Sequence, residues 1–235
     1  EECDLGVHSM SSSESEIEEV DPAGPIPGVH IEINKQLSGA RSQQELLNVI
    51  EQHVEQFNSV NVCTALHRVV KLKARLPMQL MQQVLSSVSQ HLAGFRSRDI
   101  ADSLWALATL KIDRPDLVSQ LCDAAKVKMQ DFTSQGITNS LWALATLKIE
   151  RPDLVSKLCE AAKSKMQDFT SQGLANSLWA LAAMKIERPG LVSALCEAAE
   201  AKMQDFNSQD IANSLWALAT LQIQRPDLVS KLCEA

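Results

Sequence analysis

The chain has 235 residues, 45% of them hydrophobic, with 4% aromatic side chains, no Tyr, and 8 each of Gly and Pro. That balance excludes a turn-rich, aromatic β-sandwich and favours helix. The formal charge of -7 is uneven: residues 1–56 hold 2 basic and 12 acidic side chains, whereas residues 57–235 hold 20 and 17, so a phosphate-binding surface in the later part is not excluded.

Residues 1–29 combine Ser11, Ser12, Ser13, Glu14, Ser15 and Glu16 with Glu18, Glu19, Pro22, Pro25 and Pro27. Such a stretch buries too little apolar surface to offset its ordering entropy, so a disordered acidic leader is expected there. The sequence opens on Glu1 instead of Met, which suggests a fragment or processed product, with any targeting peptide lying upstream. No apolar run approaches the roughly 18–20 residues of a membrane helix, so no membrane partner is expected.

Residues 30–56 read as an N-terminal half-repeat. Ser42-Gln43-Gln44-Glu45 has the form of a capping box, in which a hydroxyl and a carboxyl satisfy first-turn amides, and it precedes an apolar series at Leu46, Leu47, Ile50 and Val54. Residues 57–94 read as a diverged repeat, in which His67 stands where later units have Trp and Pro77 keeps the proline with one residue inserted. This segment carries Arg68, Lys71, Lys73 and Arg75 and no acid, which makes those four the candidate phosphate contacts.

Residues 95–235 contain four units of 37 residues, the last truncated. Trp105, Trp142, Trp179 and Trp216 keep this step, as do Pro115, Pro152, Pro189 and Pro226, and Cys122, Cys159, Cys196 and Cys233. A fixed period of this size means units that bury their apolar faces only against their neighbours. In each unit a first helix, with Ser97 as expected N-cap, places Ile100, Leu104, Leu107 and Ala108 on one face. A second helix opens at Arg114-Pro115-Asp116, where Pro suits the first turn and Asp meets the positive end of the dipole. The expected architecture is all-α, a right-handed α-solenoid of tandem helix-turn-helix repeats, and the missing polar terminal repeat implies that the natural chain continues past residue 235.

Chemistry-bearing motifs are scarce. There is no phosphate-binding glycine loop, Cys-x-x-Cys, His-Glu-x-x-His or Gly-x-Ser-x-Gly, and the five histidines have no ligand spacing. No catalytic residue, metal site or cofactor is expected, and the chain is read as a binding protein instead of an enzyme. The repeated cysteines fall on the inner stripe, where a free thiol acts as a small hydrophobe.

Two sets of polar and aromatic positions remain. Arg98 and Asp102, then Gln135 and Asn139, Gln172 and Asn176, and Gln209 and Asn213 recur on one helix face. Amides present donor and acceptor together, which suits reading a base edge, while a solvated face copied by duplication is the plainer alternative. Trp105, Trp142, Trp179 and Trp216 fall at the margin of the core stripe, where inter-repeat packing and base stacking are both open.

Ser-Gln-Asp-Ile-Ala-Asn-Ser-Leu-Trp-Ala-Leu-Ala-Thr-Leu at residues 208–221 resembles the octotricopeptide and heptatricopeptide repeats of organellar RNA-binding proteins, and residues 59–72 are similar to their diverged leading repeats. The resemblance implies binding of single-stranded RNA in a chloroplast or mitochondrion, with a role in transcript stability, processing or translation. A RAP domain, frequent at the C-terminus of that family, is not seen. The rival expectation is a scaffold for protein partners, favoured by the nearly neutral repeats.

Overall fold

The computed structural model describes residues 27–234, and every described regular element is helical. The order is α1 (Pro27–Gly39), α2 (Gln43–His53), α3 (Ser59–Lys71), α4 (Met78–His91), α5 (Ser97–Thr109), α6 (Pro115–Val127), α7 (Ser134–Thr146), α8 (Pro152–Ser164), α9 (Ser171–Ala183), α10 (Pro189–Ala201), α11 (Ser208–Thr220) and α12 (Pro226–Glu234). The odd-numbered helices pack successively against one another in one layer, and α4, α6, α8, α10 and α12 form the other. This is the α-solenoid that the 37-residue period predicts. Most of the acidic leader expected over residues 1–29 lies outside the described residues, and Pro27, Gly28 and Val29 open α1. Where the pattern suggests a half-repeat, residues 30–56 hold most of α1 and all of α2, a helix pair whose first member packs against α3.

The core runs the length of the layers. Phe95, Phe132 and Phe169 are at most 1% exposed, and Leu104, Leu141 and Leu178 are fully buried, each such side chain contributing about 1.5–3 kcal/mol by leaving water. The same periodicity buries Cys122, Cys159 and Cys196 as free thiols, in line with their place on the inner stripe.

Local signals fix the helix ends. Pro115, Pro152 and Pro189 occupy the first turns of α6, α8 and α10, where a missing N–H costs nothing. The expected N-cap at Ser97 is corrected: helix α5 already includes Ser97, whose hydroxyl donates to the Asp131 carbonyl at 2.9 Å, while Asp99 accepts from the Arg96 N–H at 2.8 Å. The equivalent caps at Thr133, Thr170 and Asn207 do accept first-turn amides.

Five odd-numbered helices end alike. Lys73, Lys111, Lys148, Lys185 and Gln222 have φ between 50° and 54°. Around Lys111 the Ile112 N–H reaches the Leu107 carbonyl at 3.0 Å and the Lys111 N–H the Ala108 carbonyl at 3.1 Å, and the same pair recurs in every copy. This is the Schellman closure, which ordinarily uses glycine in the left-handed position. A side chain there costs about 1–2 kcal/mol, and the array accepts that cost five times in register.

Candidate nucleic-acid interface

The positions singled out for base recognition lie along the odd-numbered layer. Their environments differ from those of free reading groups. Asn139 is 3% exposed, and its Nδ2 donates to Asp102 Oδ1 on the preceding helix at 3.2 Å. One repeat pair later, Asn213, 7% exposed, donates to Asn176 Oδ1 at 3.2 Å. Residues 37 apart are joined directly, so these amides work first as rungs that hold α5 to α7 and α9 to α11 in register. The outer member of each pair stays nearer to water: Arg98 and Gln135 are exposed, Gln172 and Gln209 half-buried.

Burial between the helices pushes the Asp102 carboxyl above its ordinary value, against the pull of the Arg98 guanidinium 3.5 Å away. Asn139 Oδ1 has no hydrogen-bond partner although it is buried. Between α7 and α9 a hydroxyl rung stands instead, with Thr138 Oγ1 3.2 Å from Ser177 Oγ. A rung of hydroxyls could not be read from the Gln-Asn pattern, because Thr138 replaces an alanine found at Ala101 and Ala175.

The aromatic positions form a column on the same layer. Trp105, Trp142 and Trp179 are half-buried against the core, and Trp216 is 42% exposed. His67, which takes the Trp position in the diverged repeat, lies 6.0 Å from Trp105 between ring centroids, tilted by 39°. Trp179 and Trp216 are 6.1 Å apart at 34°. His67 and Trp105, and Trp179 and Trp216, pack from one repeat to the next, and all five rings leave part of their surface in water. Burial, then the positive charges of Lys71, Arg68 and Arg98, hold the His67 pKa below its usual value, which keeps the ring neutral against Trp105.

The four candidate phosphate contacts separate. Arg68 turns inward and donates to the Ala40 carbonyl just past the end of α1, so it serves as a cap for that helix. Lys71, Lys73 and Arg75 are exposed at the α3–α4 turn. The Arg75 backbone N–H donates to Gln43 Oε1 at 3.0 Å, which brings the α1–α2 loop and exposed Arg41 to the same edge.

Most other cations of the array are engaged by neighbours. Arg151 bridges Asp123 at 2.5 Å and Asp153 at 3.4 Å, and Lys126 bridges the same two carboxylates at 2.9 and 2.7 Å. Arg225 meets Glu200 at 2.7 Å, and Arg188 reaches Ser156 Oγ at 3.1 Å. Lys165 and Lys202 donate to the Gln130 and Gln167 carbonyls of the preceding units at 3.3 and 3.0 Å. Sequence reasoning missed Lys111, Lys148 and Lys185, because a left-handed turn is normally signalled by Gly or Asn. The signal present was the recurring Lys-Ile-acid-Arg-Pro after α5, α7 and α9.

Among the described residues no three His, Cys, Asp or Glu side chains gather as a metal site, and no helix is long and apolar enough to cross a membrane. The odd-numbered layer carries part-exposed aromatic rings beside hydrogen-bonding and cationic side chains. No curated protein matches the sequence. A family model described as RNA-editing substrate-binding complex 6 protein matches residues 36–233, nearly all of the described array. The match supports the coarser part of the expectation, an RNA-associated helical-repeat protein. The chain belongs to the RNA-editing substrate-binding complex 6 protein family.

Proposed function

We propose that the chain binds single-stranded RNA along its odd-numbered helices, within an organellar assembly that presents substrates for RNA editing. The observation that carries this reading is the part-exposed column of His67, Trp105, Trp142, Trp179 and Trp216 in a chain of this family. Aromatic faces left in water beside polar side chains suit unpaired bases, which stack without regard to sequence at about 1–3 kcal/mol each. Arg98, Gln135, Gln172 and Gln209 supply donors and acceptors near water, while Asp102, Asn139, Asn176 and Asn213 hold the register. Base-specific contacts would then fall mainly to the outer members.

The organelle favoured by the family is the mitochondrion instead of the chloroplast. Kinship with octotricopeptide or heptatricopeptide repeats rests on the resemblance of residues 208–221 and 59–72, and roles in stability or translation rest on that kinship. The chain acts by binding and carries out no chemistry itself. A second reading, a scaffold for protein partners in the same assembly, is favoured by the outer layer, where Asp123, Lys126, Arg151 and Asp153 neutralise one another.

A fluorescence-anisotropy titration of the chain against single-stranded RNA, duplex RNA and single-stranded DNA at two salt concentrations tests the proposal. Salt-sensitive binding that prefers single-stranded RNA is expected. Equal affinity for all three, or none for any, refutes it; stoichiometric protein capture without RNA favours the scaffold.

A further inference from the structure

Lys73, Lys111, Lys148 and Lys185 occupy the C-terminal ends of α3, α5, α7 and α9 at φ 50° to 54°, and all four are exposed. Among the described residues none of the four joins an ion pair or side-chain hydrogen bond, a state shared by Lys157 and Lys163 on α8 but not by Lys126, Lys165, Lys202, Arg151 or Arg225. Glycine would close the same turn without strain, so nothing in the packing requires lysine there. A strained residue kept in register repeat after repeat points to use.

Their placement fits a use. The rungs Asp102–Asn139, Thr138–Ser177 and Asn176–Asn213 hold α5, α7, α9 and α11 side by side in register. Their C-terminal ends therefore line one edge. The aromatic column lies six residues before the lysines on the same helices, toward that edge. Asp113, Glu150 and Glu187 follow Lys111, Lys148 and Lys185 by two residues, but Arg75 takes that place after Lys73. With Arg41, Lys71 and Arg75 around it, the α3–α4 turn is the most positive point of the edge.

We propose that Lys73, Lys111, Lys148 and Lys185 form a rail for the phosphates of single-stranded RNA, one contact per repeat, running beside the aromatic column and anchored at the α3–α4 turn. This rests on the RNA-binding reading above and adds the backbone path to it. The rail fixes the strand without reading sequence, as phosphate contacts do.

The test uses the full chain with Lys73, Lys111, Lys148 and Lys185 all changed to Gly, which suits the left-handed turns, and a second version with all four changed to Gln. A control carries Lys157→Gln and Lys163→Gln, exposed on α8. A homopolymeric single-stranded RNA is titrated from 50 to 200 mM salt, with melting followed in parallel. Each phosphate contact contributes about 0.7 to the slope of log affinity against log salt, so the four contribute about 2.8, or roughly fifty-fold over that range. Both rail variants are expected to lose that salt sensitivity, the Gly variant melting no lower than the wild type, while the control binds as the wild type does. A wild-type slope in either rail variant overturns the rail and leaves RNA binding standing. Failure of the wild-type chain to bind RNA overturns both.

Discussion

Changing Asn139 to Asp tests the rung between α5 and α7 with one atom's difference. In the wild type a buried amide donates to Asp102, whose side chain is 28% exposed. The variant sets two carboxyls where the 3.2 Å bond was. Two charges about 4 Å apart repel by about 4 kcal/mol at an effective dielectric of 20. The pair escapes by keeping one proton, and from an ordinary carboxyl value of 3.8 that retention at pH 7 also costs about 4 kcal/mol. A loss of about 4 kcal/mol at pH 7 is therefore expected. At pH 4 the proton is held almost without cost and an O–H···O⁻ bond replaces the amide bond, so the loss falls to about 1 kcal/mol. The sign follows from a folded-state pKa raised above the unfolded one: the native state binds the extra proton, and stability falls as pH rises through this window. Asn139→Ala, which removes the donor and also the unpartnered Oδ1, should lose about 1–2 kcal/mol at both pH values. Urea unfolding followed by circular dichroism measures all three. If Asn139→Asp lies within about 0.5 kcal/mol of Asn139→Ala at pH 7, the two side chains do not meet and the register argument fails.

Two further outcomes follow from the outer layer and the thiols. Gly190 stands where other repeats have Asp116, Asp153 and Asp227, and a Cβ there would lie 3.5 Å from Lys163 Nζ. Gly190→Asp should raise the melting temperature by giving Lys163 the carboxylate partner that Asp153 gives Lys126 and by meeting the helix dipole, with the gain shrinking in 1 M salt; no gain at low salt refutes that pairing. Burial pushes the Cys122 and Cys196 thiols up to about 11, whereas Cys233 is exposed. At pH 8 iodoacetamide should therefore modify Cys233 well before the other two, and equal rates by peptide mass spectrometry would contradict their burial.

The repeat itself was legible in the residues. Trp, Pro, Cys and Phe at a 37-residue step dictated units that must stack, because each presents an apolar stripe that its own two helices cannot cover. The prolines placed the starts of α6, α8 and α10 for a reason contained in proline alone. Family membership followed the same pattern over residues 36–233.

The division of labour within the polar face was not legible. Asp102, Asn139, Asn176 and Asn213 look like neighbours of Arg98, Gln135, Gln172 and Gln209 on a helical wheel. Whether a side chain four residues along meets the next helix or water depends on how two helices approach, and that is set by packing between repeats. Arg68 has the chemistry of a phosphate contact but reaches Ala40 because α1 ends beside α3. Lys111, Lys148 and Lys185 carried no glycine signal, and only the backbone revealed their left-handed turns. The sequence by itself determined what repeats and what is buried, since hydrophobic periodicity is local. Tertiary structure decided which polar groups join one repeat to the next and which lie nearer water, since that depends on contacts between residues 37 positions apart.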